Sequence, residues 1–112
     1  MSRAIRKSLY FIADFESIFT WHVDRAGVEV AWRFQTALDT SLTRLASRPD
    51  LGRPRHFRHH DLSGLRSFRA EHPFENILIF YRAGDETLDA ARIMHGARNL
   101  PRRLREPPRA NP

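Results

Sequence analysis

Residues 76–82 read Asn-Ile-Leu-Ile-Phe-Tyr-Arg, and five apolar side chains in a row constrain the fold more than any other stretch of the chain. In an extended strand neighbouring side chains point to opposite faces, so Ile77, Ile79 and Tyr81 lie on one side and Leu78 and Phe80 on the other. Both sides need cover. The stretch therefore predicts a central strand with packed layers on each face. Segments 65–70 and 87–95 read as its neighbours, and Ala-Gly-Asp-Glu at 83–86 supplies the turn of a hairpin into the last strand.

The cover on at least one face is visible upstream. Phe15, Ile18, Phe19 and Val23 recur at helical spacing, with Asp14 placed to cap the start and Gly27 to end the helix. Ala31, Phe34, Leu38, Leu42 and Leu45 continue as a second apolar stripe, so two helices joined at Gly27 form an antiparallel hairpin. Ser-Arg-Pro-Asp-Leu-Gly-Arg-Pro-Arg at 47–55 stops the second helix. Before the hairpin, Lys-Ser-Leu-Tyr-Phe-Ile at 7–12 is rich in aromatic and β-branched types and reads as a first strand. The order β-α-α-β-β-β predicts an α+β architecture, with a helix hairpin on a mostly antiparallel four-stranded sheet. One domain over residues 1–105 is expected, followed by a proline-rich disordered tail at 106–112, with a short helical turn after Gly96.

With nineteen basic against thirteen acidic residues, the chain carries a formal charge of +6 and a pI near 11.1, which suits an acidic partner. Lys7 is its single lysine. Arginine forks match phosphate and carboxylate, and an arginine-rich genome would give the same bias. Cysteine is absent, which excludes disulfides and thiolate metal sites. No apolar run is long enough for a secretory signal or a membrane span, so a cytoplasmic location is expected.

Three groups of residues carry candidate chemistry. His95, closing the last strand before Gly96, titrates near neutral pH, and Arg98 lies three residues on; the same corner also reads as a structural turn. Trp21 and Trp32 fall off the apolar stripes and, with Phe19, mark either hairpin packing or a partner surface. His-Phe-Arg-His-His-Asp at 56–61 sets His56 and His60 four apart, a zinc spacing only on a helix, and prolines precede it. No metal is expected there. A solvated basic loop is expected instead, with Arg53, Arg55, Arg58, Arg66 and Arg69 able to join one cationic patch.

Taken in order, residues 37–54, Leu-Ser-Gly-Leu-Arg-Ser-Phe at 62–68, residues 76–82 and Ala-Arg-Ile-Met-His-Gly-Ala-Arg-Asn-Leu at 91–100 resemble the RelE/ParE superfamily of bacterial type II toxins. The His-Gly-Ala-Arg corner is most similar to the ParE branch, with Asn99 where members often have Asp and still able to cap a helix. The resemblance implies a growth-arresting, plasmid-stabilising toxin with no cofactor. It would be neutralised by an antitoxin with a DNA-binding N-terminus and an acidic segment that wraps the hairpin at Trp21, Trp32 and Phe19. ParE-like members inhibit DNA gyrase by binding; RelE-like members cleave mRNA on the ribosome; an inactive homologue would retain only antitoxin binding. For the second activity the resemblance would assign His95, Arg66 and Arg98 as catalytic. Other basic sites of that kind fall on Phe68 and Leu78, and the C-terminal tyrosine falls on Leu104, none of which transfers a proton. For the first, Arg66, Arg69, His95 and Arg98 would contact the target.

Overall fold

The computed structural model describes residues 2–96 and 99–109. Strand β1 (Ala4–Lys7) leads into helices α1 (Leu9–Ala26) and α2 (Val28–Ser47). A two-residue strand β2 (Arg53–Pro54), then β3 (Arg66–Arg69), β4 (Ile77–Ala83), β5 (Thr87–His95) and helix α3 (Leu100–Arg105) follow. The sheet order is β1-β5-β4-β3-β2, with β1 parallel to β5 and the other pairs antiparallel. The α+β hairpin-on-sheet architecture is the expected one, with β2 as a fifth, unforeseen strand.

The first strand lies earlier than expected. Residues 9–12 are helical, because Ser8 in extended conformation accepts the Phe11 N–H at 3.0 Å and so caps α1. Aromatic and β-branched composition suggested a strand there, but Phe11, Ile18 and His22 bury a helical stripe that continues through this segment. Asp14 is thus no cap but a buried residue within α1. Gly27, at φ +95, ends α1 and begins α2 as the sequence predicts, a conformation that strains any side-chain-bearing residue.

Phe11, Ile18, Phe34, Leu38, Leu42 and Leu45 of the hairpin pack on Ile77, Ile79 and Tyr81. On the other face Leu78, Phe80 and Met94 are covered by Leu62 and Leu65 of the loop and Leu100 and Leu104 of α3. Both sides of β4 are therefore closed, the second by loop and C-terminal residues. The segment after α2 is held by Tyr81, whose hydroxyl donates to the Pro49 carbonyl at 2.6 Å and accepts the Gly52 N–H at 2.9 Å. A Cβ on Gly52 would lie 2.1 Å from that oxygen, so only glycine fits.

Since β1 ends at Lys7, the edge of β5 beyond Ala90 lacks a strand partner. Side chains of α1 take its place. Ser8 Oγ donates to the Ala91 carbonyl at 2.8 Å, and Asp14 accepts the Ile93 N–H at 3.0 Å. The same carboxylate receives Arg92 Nε at 2.8 Å and Nη2 at 3.0 Å. Arg92 Nη1 then donates to the carbonyls of Arg103, Leu104 and Glu106 at 3.1, 3.1 and 2.7 Å, closing the C-terminal end of α3. Residues 106–109 carry no helix or strand, and Ser17 donates to the Arg109 carbonyl at 2.8 Å; the rest of the expected tail, 110–112, lies outside the described residues.

Replacing Arg92 by Ala leaves a buried carboxylate without its cation, a loss of about 3–5 kcal/mol by urea denaturation. Asp14→Leu combined with Arg92→Leu should recover part of it. A double variant as unstable as Arg92→Ala would count against the pair as the origin of the loss.

Candidate functional site

The corner at the end of β5 is built on the helix-hairpin side. His95 stands opposite Ile77 in the β4–β5 ladder, so its ring faces α1. There it meets Trp21 edge-on at 4.5 Å between centroids and stacks on His22 at 6.3 Å. Its Nε2 lies 2.8 Å from the Asn76 amide nitrogen, which donates, so the neutral ring carries its proton on Nδ1. Burial, then the positive potential of His22 and Arg103, holds the His95 imidazole below its ordinary range. His22 is likewise lowered by burial, although its Nδ1–H donates to the Ile18 carbonyl at 2.9 Å. Both rings are neutral at pH 7.

Beyond Gly96, itself at φ +87, Ala97 and Arg98 lie outside the described residues, and with them the expected role of Arg98. Asn99 adopts the left-handed conformation at φ 55 and makes no side-chain cap, contrary to the expectation that it caps α3. A cavity of about 20 Å³ between α1, His95, Arg103 and Arg109 has room for one water, not for a nucleotide.

The other expected site residues separate. Arg66 stands opposite Tyr81 while His95 stands opposite Ile77, four residues along β4 or about 13 Å. The Arg66 guanidinium donates to the Gly52 carbonyl at 2.7 Å and braces the turn after α2. Arg69 projects from the opposite face of β3, opposite Leu78, and donates to the Glu75 carbonyl at 2.9 Å. Arg69 and Arg53 crowd Arg55: burial first, then these two charges, lowers the Arg55 guanidinium from its ordinary range. Part of the expected cationic patch thus forms around Arg55, and it excludes the face that carries Arg66.

The aromatic trio also divides. Phe19 meets Trp32 edge-on at 5.3 Å across the hairpin, and Trp32 remains 56% exposed beside an open groove of about 480 Å³ lined by Arg33, His72, Pro73 and Phe74. Trp21 belongs to the His95 corner and carries the Arg25 guanidinium over its ring at 5.2 Å. Sequence reading missed Asp14, His22, Asn76 and Arg92 as parts of this corner. An arginine inside the otherwise apolar strand end 90–94 was the one available signal, since such a charge requires a buried partner.

A helix hairpin over a sheet whose last strand ends in His-Gly, followed by a short basic helix, defines a small α+β protein. The family model for the ParE toxin of the type II toxin-antitoxin system parDE matches residues 5–100, and the chain belongs to that family. Among solved structures it is similar to the chromosomal ParDE toxin-antitoxin system from P. aeruginosa, at 17% identity and TM-score 0.68, covering 86% of this chain and 98% of that one. It is also similar to the toxin-antitoxin complex RelBE2 from Mycobacterium tuberculosis, at 16% identity and TM-score 0.57, covering 85% and 99%. These two likenesses establish the fold. No curated protein sequence matches the chain, and no helix among the described residues is long and apolar enough to cross a membrane.

Because His22 and His95 bind protons less readily folded than unfolded, stability is full above the unfolded value of 6.5 and declines as pH falls through and below it. The urea midpoint should drop between about pH 7.5 and about pH 5, and His22→Phe should flatten that slope. Equal slopes in both proteins would remove His22 from the account.

Proposed function

We propose that this chain is the growth-arresting toxin of its system, acting in the cytoplasm by binding and inhibiting DNA gyrase rather than by cutting RNA. The observation that carries the reading is the dispersal of the would-be catalytic set. Cleavage by 2′-hydroxyl attack needs a base, an acid and cations around one phosphate. Here Arg66 is anchored about 13 Å along the sheet from His95. The Nε2 of His95 is taken by Asn76, and the Tyr81 hydroxyl, a potential acid, is buried on Pro49 and Gly52.

A binding toxin needs only surface. Arg69, with Arg53 and Arg55 beside it, would supply the cations on one face, Arg66 would brace the turn that leads to Arg53, and His95 and Arg98 would be further target contacts. For neutralisation, an acidic extended antitoxin segment would lie over Trp32 and Phe19. It would then pair with β1, an edge strand whose four residues are all exposed and which includes Arg6 and Lys7. The other edge is blunted, because β2 is two residues long and contains Pro54.

The test is a supercoiling assay with purified gyrase, alongside pulse labelling of DNA and protein synthesis after induction of the chain without antitoxin. Inhibition of supercoiling, an early fall in DNA synthesis, and growth arrest retained by His95→Gln are expected. An early fall in protein synthesis, with mRNA cut on ribosomes and activity lost in His95→Gln, would overturn the proposal in favour of a RelE-like ribonuclease.

A further inference from the structure

The basic loop holds a cluster for which the toxin reading has no use. Sequence spacing pointed at His56 and His60, which need a helix to converge. The loop instead forms a 3-10 turn at His60–Leu62, and the turn gathers a different trio: ligand atoms of His59, His60 and Asp61 all lie within 4.8 Å of one another. His59 Nδ1 is 3.6 Å from Asp61 Oδ2, and His60 Nε2 is 3.1 Å from Asp61 Oδ1. Each separation is near the roughly 3.4 Å edge of a tetrahedral site with bonds near 2.1 Å, and because the two run to different Asp61 oxygens, the carboxylate turns to present one of them to the ion.

The geometry points to a divalent transition-metal site at His59, His60 and Asp61, of the class that takes Zn²⁺. Two imidazoles and a carboxylate are borderline donors that suit Zn²⁺, Ni²⁺ or Cu²⁺, whereas Ca²⁺ and Mg²⁺ prefer oxygen ligands alone. A trio leaves the fourth position to water.

The backbone beneath the trio is fixed in advance. Arg82 donates through Nη2 to the Asp61 carbonyl at 2.7 Å and through Nε to the Ser63 carbonyl at 2.8 Å. Leu62, between them, is 4% exposed and packs into the core on the second face of the sheet. The Leu62 and Ser63 N–H groups close the turn on the His59 and His60 carbonyls. Only side-chain rotation remains for closure, and the His60 side chain is 88% exposed and able to rotate. The His59 ring, whose Nδ1 now accepts the Asp61 N–H at 3.2 Å, would rotate to give that lone pair to the metal and leave the N–H to solvent. Arg82 opposes a dication, and the Asp61 charge offsets it.

Isothermal titration of the full chain with Zn²⁺, after purification on a tag without histidine, tests the site. One equivalent should bind with saturation in the micromolar range. Either His60→Ala or Asp61→Asn should weaken binding at least about tenfold. His56→Ala and His72→Ala, which change histidines outside the trio, should leave binding as it was. In the unaltered chain, Zn²⁺ should shift the imidazole NMR signals of His59 and His60 and spare those of His22 and His95, a readout independent of how any variant folds. Absence of saturation below about 1 mM, the millimolar range of weak binding, would overturn the site. So would equal losses in His56→Ala and His60→Ala, or signals that move at other histidines.

Discussion

The buried pair of Asp14 and Arg92 fixes where everything around the corner sits. Each side chain is 7% exposed, so two charges have left water and must be compensated in full. Compensation comes from three elements at once. Asp14 of α1 receives two guanidinium bonds and the Ile93 N–H of β5, and the rest of the Arg92 fork closes α3. A strand would have satisfied the β5 edge alone. The carboxylate satisfies that edge while locking α1 beside it, which carries Ile18, Trp21 and His22 along the strand toward His95. The position of His95, three residues beyond Arg92, therefore depends on an ion pair outside its own cage.

Much of this architecture was legible in the sequence where a single physical demand had a single solution. Five apolar residues at 77–81 required cover on both faces, Gly27 required a break, and Pro49 with Gly52 required the end of α2. Legibility failed where two demands competed for one residue. Ser8 is both the cap of α1 and a donor to Ala91 of β5, and strand-like composition at 7–12 concealed the first role. Asp14 has the residue type of a cap, and only tertiary pairing with residue 92 shows why it lies inside the helix. What covers the second face of β4 was equally hidden, because Leu62, Leu65, Leu100 and Leu104 are scattered among basic residues with no periodicity to read.

The site divides along the same line. His95 was readable as a residue of interest, but its neighbours come from α1 and from the start of β4, far apart in sequence. Their arrangement favours a neutral ring. Trp21 and His22 exclude water, Asn76 donates to the lone pair, and Arg103 adds positive potential. A general base tolerates a lowered pKa, yet it also needs a free lone pair and cations at the phosphate. The cage leaves that lone pair occupied by Asn76, and likeness of fold does not by itself carry a reaction from one chain to another.

The arginine excess makes better sense once its members are separated by what they touch. Arg66, Arg82 and Arg92 turn inward to backbone carbonyls of Gly52, of Asp61 and Ser63, and of the last turn of α3. Loops and a six-residue helix that cover one face of a sheet leave carbonyls with no ladder to join, and a planar fork can satisfy several at once where an ammonium cannot. The folding role of these residues removes them from any count of charge offered to a partner. Arg55 differs, since its guanidinium donates to Ser67 Oγ and is crowded by the charges of Arg53 and Arg69. An anion binding there would relieve repulsion that folding leaves in place, so the favourable term is largest where the chain has satisfied itself least.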